Sequence, residues 1–210
     1  MPTTLTLTTS ESQTIQEITL PSSWADVTLG EYLAILAPQD AVSFELRLTR
    51  LQPEQLAQLE EGDRLRLMQR LNFVLDSQQL DEQLPTPGLY EVGNCAYGLF
   101  EQARKLLAIS FNASVVEQGA ILYALFRNPT GSKAEPRQVT ATYKQLLEQP
   151  LTDVYADCLH FYHSYQRAAQ GQPPVAGPMQ PGLSQLEVVP TAAVPRQLLS
   201  RRLLNALIIR

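Results

Sequence analysis

Asp153-Val154-Tyr155-Ala156-Asp157-Cys158-Leu159-His160-Phe161-Tyr162-His163 is the stretch on which the fold turns. Read at 3.6 residues per turn, it belongs to a helix over 151–169. Asp153, Asp157 and His160 then share one face at i, i+4 and i+7, and His160 and His163 stand three apart. Carboxylates and imidazole on one helical face suit a divalent metal. Such sites draw ligands from a second element, however, and the chain has no histidine beyond these two. Phe161, Tyr162 and Tyr165 interleave with the polar positions, so the stretch reads as a packing surface with polar edges.

Helical signals continue outward from there. A helix over 137–148 precedes it, separated by the breaker Asn128-Pro129-Thr130-Gly131 from helices over 113–127 and 99–110. The first of these carries Val116, Ala120, Tyr123 and Leu125. Further back, Leu89-Tyr90-Glu91-Val92 and Cys95-Ala96-Tyr97 flank Gly93-Asn94, which predicts a hairpin over 89–98. Residues 77–88, with Pro85, Pro87 and Gly88, read as a loop. Gly62-Asp63 opens a helix on which Leu65, Met68, Leu71, Asn72 and Leu75 recur as an apolar stripe, with Arg64, Arg66 and Arg70 facing water. Pro53 opens a short helix with Leu56 and Leu59. Before it, Asp40 caps a helix carrying Val42, Phe44, Leu46, Leu48 and Leu51. Thr28-Leu29-Gly30-Glu31 has capping-box spacing for a helix from Tyr32 to Leu36 that ends at Pro38. Thr4-Leu5-Thr6-Leu7-Thr8 alternates and Thr14–Leu20 is rich in β-branched residues, so 1–20 predicts strands turned at Ser10-Glu11-Ser12. A lone hairpin is marginal in water and must pack on the domain or pair with a neighbour.

Beyond 169 the character changes. Pro173, Pro174, Pro178, Pro181, Pro190 and Pro195 make 170–195 an extended linker, and 196–210 reads as a basic amphipathic helix. There Leu199, Leu203, Ala206 and Leu207 form a stripe, widened by Leu204 and Ile208. The expected fold is mainly α: a helical domain over 21–169 with one or two small β-hairpins, an N-terminal β segment over 1–20, a proline-rich linker and a C-terminal helix. That last helix has three possible uses. It can lie on a membrane surface, which four arginines and no aromatic residue support poorly; it can fold back on its own domain; or it can dock on another subunit. The candidate partner-binding residues are Leu199, Leu203, Leu207, Ile208, Arg201, Arg202 and Arg210, with Trp24 and Tyr32; packing is the alternative role for the last two.

Composition narrows the classes. Hydrophobic residues make up 44% and charged residues 18%, which suits a globular chain. Two cysteines give neither a disulfide framework nor a zinc pattern. The net charge of −5 argues against a general nucleic-acid binder. The charge is uneven: residues 1–63 hold ten acids and two arginines, and residues 188–210 hold four arginines and no acid. No apolar run approaches the roughly 18 residues of a membrane span. Met1-Pro2-Thr3-Thr4 lacks the basic and apolar regions of a signal peptide, so a cytoplasmic protein is expected. No Gly-x-Ser-x-Gly, no His-Glu-x-x-His and no phosphate loop occurs; Gly131-Ser132-Lys133 lacks the upstream glycine. The chain reads as an interaction protein, not an enzyme, with no cofactor.

Three stretches resemble the small assembly proteins of tailed phages and prophages. Ile18-Thr19-Leu20-Pro21-Ser22-Ser23-Trp24-Ala25-Asp26-Val27-Thr28-Leu29-Gly30-Glu31-Tyr32 looks like their strand, Pro, Trp, Asp-Val-Thr, Tyr opening. Leu46-Arg47-Leu48-Thr49-Arg50-Leu51-Gln52-Pro53-Glu54-Gln55-Leu56 is similar to the helix, linker, Pro-Glu-Glu-Leu pattern of tail assembly chaperones. Leu122 to Tyr165 resembles their apolar helix into Arg127-Asn128-Pro129, followed by a helix ending in Phe161-Tyr162. The resemblance covers about half the chain. It implies a helical protein that contacts a tail-tube subunit, a tape-measure protein or a neighbouring virion subunit in the host cytoplasm, with homo-oligomers possible and neither nucleic acid nor membrane as partner. The proline-rich linker and basic helix depart from that pattern. They leave open a permanent virion component whose arms lace subunits together.

Overall fold

The computed structural model describes residues 3–8, 15–36, 44–127 and 133–171. The expected linker, the C-terminal helix, the turn at Ser10-Glu11-Ser12, the cap at Asp40 and the breaker at Asn128 lie outside them.

The chain is mainly α. Its centre is α7 (Val115–Phe126), in which Val116, Glu117 and every residue from Gly119 to Phe126 are buried. A helix apolar nearly all round has no solvent face, so it must be enclosed. Ser114 caps it, its hydroxyl accepting from Glu117 N at 3.2 Å. The enclosing helices are α6 (Tyr97–Ile109), α8 (Pro136–Leu147) and α9 (Leu151–Ala169). Gly119 sets the closest approach: a Cβ there would lie 2.0 Å from the Cys158 carbonyl oxygen. Only a residue without a side chain lets α7 and α9 come so near.

A second layer covers α9. After Leu20 the chain enters a 3-10 turn at Trp24–Asp26, then α1 (Leu29–Leu36). The capping box forms as its spacing predicts: Thr28 N donates to Glu31 at 2.9 Å and Glu31 N to Thr28 Oγ1 at 3.2 Å. A short bridge ties this start to the α8–α9 corner, through Leu29 N to Gln149 O at 3.0 Å and Leu151 N to Val27 O at 2.8 Å. Then come α2 (Phe44–Thr49), α3 (Pro53–Ala57) and α4 (Glu61–Arg70), which runs into a 3-10 turn over Leu71–Leu75. α2 stops where Arg50 takes φ 58°, a left-handed ending one residue before the expected Leu51.

The N-terminal strands pair within the chain. β1 (Thr3–Thr8) and β2 (Ile15–Leu20) are antiparallel, with Leu5 opposite Ile18 and Thr3 opposite Leu20. Ile18 and Leu20 are buried while Glu17 and Thr19 face water, the alternation of a half-buried strand. The hairpin rests on α2 and α4.

Two expectations are corrected here. Residues 89–98 do not form a hairpin. Val92–Asn94 is a 3-10 turn that leads into α6. Neither Gly93 nor Asn94 takes the positive φ that a two-residue hairpin turn demands. Local bonds, Asn94 N to Glu91 O and Cys95 N to Val92 O at 3.0 Å each, replace cross-strand pairing. α9 pins the turn instead, because Val92 N donates to Ser164 Oγ at 2.9 Å. The loop over 77–88 likewise holds a short helix, α5 (Gln78–Asp81), that packs on α9.

Candidate functional site

The most unusual surface lies on α4 and the 3-10 turn after it. Of the expected apolar stripe, Leu65 is 61%, Met68 40% and Leu75 77% exposed, Asn72 also faces water, and Leu71 is buried. Leu67 and Leu71, with Asp63, turn inward instead. On a helix Asp63, Leu67 and Leu71 are i, i+4 and i+8 and so share one face, of which only Leu71 belonged to the expected stripe. Arg64, Arg66 and Arg70 are exposed as expected. Beside the face, Met68, Gln69, Leu71, Asn72 and Leu75 line an open depression of about 380 Å³. A second one, of about 430 Å³ and polar, lies where β1 meets α4, between Leu5, Arg66, Gln69 and Arg70. Acids stand at both ends of the apolar face. Glu60 and Glu61 are exposed at its start, and Asp76 at its end. Single exposed leucines are ordinary, but a run of them along one helix beside a depression is what docking surfaces look like.

Trp24 and Tyr32 sit elsewhere. Trp24 is 2% exposed; its indole N–H donates to Asp76 O at 2.7 Å, and its ring stands edge-on to Phe73 at 5.3 Å and to Tyr32 at 5.4 Å. Tyr32 is half-buried against Tyr155, and burial pushes its hydroxyl up from the ordinary range. Both therefore pack the junction of the amino-terminal layer with α9, the alternative role that the sequence left open for them. Trp24 still bears on the exposed face indirectly, since it anchors Phe73 and Asp76 of the turn that carries Leu75. Leu199, Leu203, Leu207, Ile208, Arg201, Arg202 and Arg210 lie outside the described residues.

The polar positions of α9 do structural work. Asp157 accepts from Thr86 N at 2.7 Å and from Thr86 Oγ1 at 2.9 Å, fastening the loop after α5. His160 Nε2 lies 3.4 Å from Tyr90 O and 3.7 Å from Glu91. Ser164 Oγ donates to Glu91 at 2.8 Å, and Arg167 approaches the same carboxylate at 3.5 Å. A serine, a histidine and a glutamate thus come together, but in an order unlike a nucleophile–base pair. Glu91 stands between the other two, and Ser164 is buried with its oxygen already accepting from Val92 N. Asp153 forms no cluster with them, and among the described residues no group of three metal-ligating side chains gathers. Cys158 is fully buried, and burial pushes its thiol well up; Cys95 is pushed up the same way. A raised pKa means little thiolate and little reactivity. Among the described residues no helix is long and apolar enough to cross a membrane.

Glu91 and Ser164 went unmarked in the sequence because nothing in their spacing links positions 73 residues apart. No family model, curated protein or solved structure matches the chain.

Proposed function

We propose that this chain is a non-catalytic binding protein of the tail assembly chaperone kind, which covers an apolar surface on a tail or virion component of a phage until assembly proceeds. The observation that carries this reading is the water-facing apolar run Leu65–Met68–Leu75 on a helix whose other side is packed in the core. Burying side chains of this size against a partner is worth roughly 1.5–3 kcal/mol each when complete. The rim acids Glu60, Glu61 and Asp76 would set orientation and partner choice. The resemblance in the stretches 18–32, 46–56 and 122–165 supports the class of partner.

The test is co-expression with a tail-tube or tape-measure protein of a tailed phage. The unaltered chain is expected to keep that protein soluble, and a Leu65→Asp/Leu75→Asp chain of unchanged helical content to let it precipitate. Equal solubility with both chains removes the α4 face from the function. Copy number in purified particles then separates the roles. Absence fits a chaperone, whereas a fixed stoichiometric presence would make the chain a permanent component with lacing arms.

A further inference from the structure

The α4 face is apolar, unusually exposed and flanked by acids. A segment with the complementary pattern belongs to the same chain: residues 196–210, with leucines at 199, 203 and 207 and arginines at 196, 201, 202 and 210. We propose that this segment docks on the Leu65–Met68–Leu75 face of its own chain and masks it until a partner displaces it. The inference rests on the binding role just proposed for that face and adds its regulation.

Three observations select this occupant. The first is length. From Leu65 to Leu75 the face runs about 15 Å at the helical rise, and the 199–207 stripe, drawn as a helix, runs about 12 Å. The second is charge. Glu60 and Glu61 stand beyond one end of the face and Asp76 beyond the other, and Asp81 and Glu82 follow nearby in the chain. Arg196 and Arg210 bracket the leucine stripe in the same way. Arg64 and Arg70 are exposed on the same helix and oppose the match locally, whereas Arg66 is paired with Asp63 at 3.3 Å. The third is reach. The face lies near the start of α9, because Trp24 joins Asp76 and Phe73 to the layer that Leu151 and Tyr155 hold. Gly171 follows the other end of that helix, about 28 Å away at 1.5 Å per residue. A chain of the 24 residues 172–195 is long enough to cover that distance: a random coil of this length would average about 27 Å, and a polyproline run would reach about 74 Å. Such a tether would reach the face, and tethers of this length set effective concentrations on the order of millimolar. A second copy must compete against that.

Met68 supplies the probe. The full chain and a Leu203→Asp/Leu207→Asp chain are exposed to dilute hydrogen peroxide, and oxidation of each methionine is followed by peptide mass spectrometry. The chain has three methionines, so Met1 and Met179 serve as internal references. Trp24 emission verifies that both chains hold the same core. Docking predicts that Met68 oxidises several-fold more slowly in the full chain than in the double variant, at a rate independent of protein concentration. Equal rates overturn the proposal, while leaving the face open to an external partner and the co-expression test unaffected. Protection that vanishes on dilution also overturns it, because the segment would then be reaching a second copy.

Discussion

Gly119 offers the sharpest test of the core, because one atom decides the sign of the effect. In Gly119→Ala the new methyl carbon would lie 2.0 Å from the Cys158 carbonyl oxygen, 2.6 Å from its carbon and 3.2 Å from its Cα. These are backbone atoms of α9, so no rotamer change relieves them. The two helices must part by about 1 Å at their crossing, and a gap of that size forfeits a quarter to a half of each dispersion contact there. Overpacking of a close-packed core costs about 1–3 kcal/mol and at times more. Against this stands the gain of alanine over glycine in a helix, roughly 0.5–1 kcal/mol. Since α7 and α9 form the most extensive helix pair in the molecule, the cost is expected at the upper end, for a net loss of about 2 kcal/mol. Gly62 is the control, a helical glycine on α4 whose added Cβ would touch nothing within 4 Å. Gly62→Ala should therefore stabilise, by roughly 0.5 kcal/mol. Urea unfolding followed by far-ultraviolet circular dichroism measures both. A Gly119→Ala chain as stable as the parent, or a Gly62→Ala chain that loses as much, refutes the packing described here.

Other consequences are directly measurable. Burial works to raise the Glu31 carboxyl, but bonds from Thr28 and Arg50 outweigh it and hold the group below the ordinary 4.5. Its stabilising increment is therefore complete above pH 4.5 and is lost as pH falls through the lowered folded value; Glu31→Gln should remove about 1 kcal/mol at neutral pH and flatten the acid limb of urea midpoints against pH. Ser164→Ala strands the Val92 N–H in the core and should lower stability by about 1–3 kcal/mol in thermal unfolding; an unchanged melting temperature would mean that the Val92–Asn94 turn is not pinned by α9. Trp24, the one tryptophan, should emit at short wavelength in the native chain and shift red on unfolding. Cys158 should alkylate only as fast as the chain unfolds, after Cys95 has reacted; simultaneous modification would place Cys158 at the surface.

Much of the fold was legible because its signals are local. Thr28 and Glu31 lie within one helical turn and declare the start of α1 whatever surrounds them. Pro53 opens a helix, as a residue with fixed φ and no N–H to lose should. The alternation of β1 and β2 likewise needs nothing beyond its own period. What could not be read depends on distant partners. Gly93-Asn94 has hairpin chemistry, yet Ser164, 72 residues on, takes the Val92 N–H and the segment coils into a 3-10 turn. Gly119 looks like a weak point in a helix until Cys158 is placed against it. Trp24 reads equally well as a contact or a core residue, and only the positions of Phe73 and Asp76 decide for the core.

The misreading of α4 is the most informative of these. The expected row Leu65, Met68, Leu71, Asn72 and Leu75 divides between two faces: Leu65, Met68 and Leu75 lie on one, and Leu71 lies with Asp63 and Leu67 on the second. The fold buries the second because the helix reaches the core with that side, and Asp63 is tolerated there through its bond to Arg66 and its place in the first turn, where the helix dipole favours a negative charge. Local consistency is thus broken at one place, and such breaks concentrate where a chain has something to bind. The break also fixes what a partner must do. If residues 196–210 occupy the face from a tether near millimolar effective concentration, an external surface displaces them only by offering a larger apolar area or a better charge match than one short helix can. An exposed stripe held under a weak internal cover therefore discriminates by threshold. On that proposal small apolar patches on folded proteins would fail to open it, the broad unassembled surface of the proposed partner would succeed, and a variant that removes the cover should gain affinity for both.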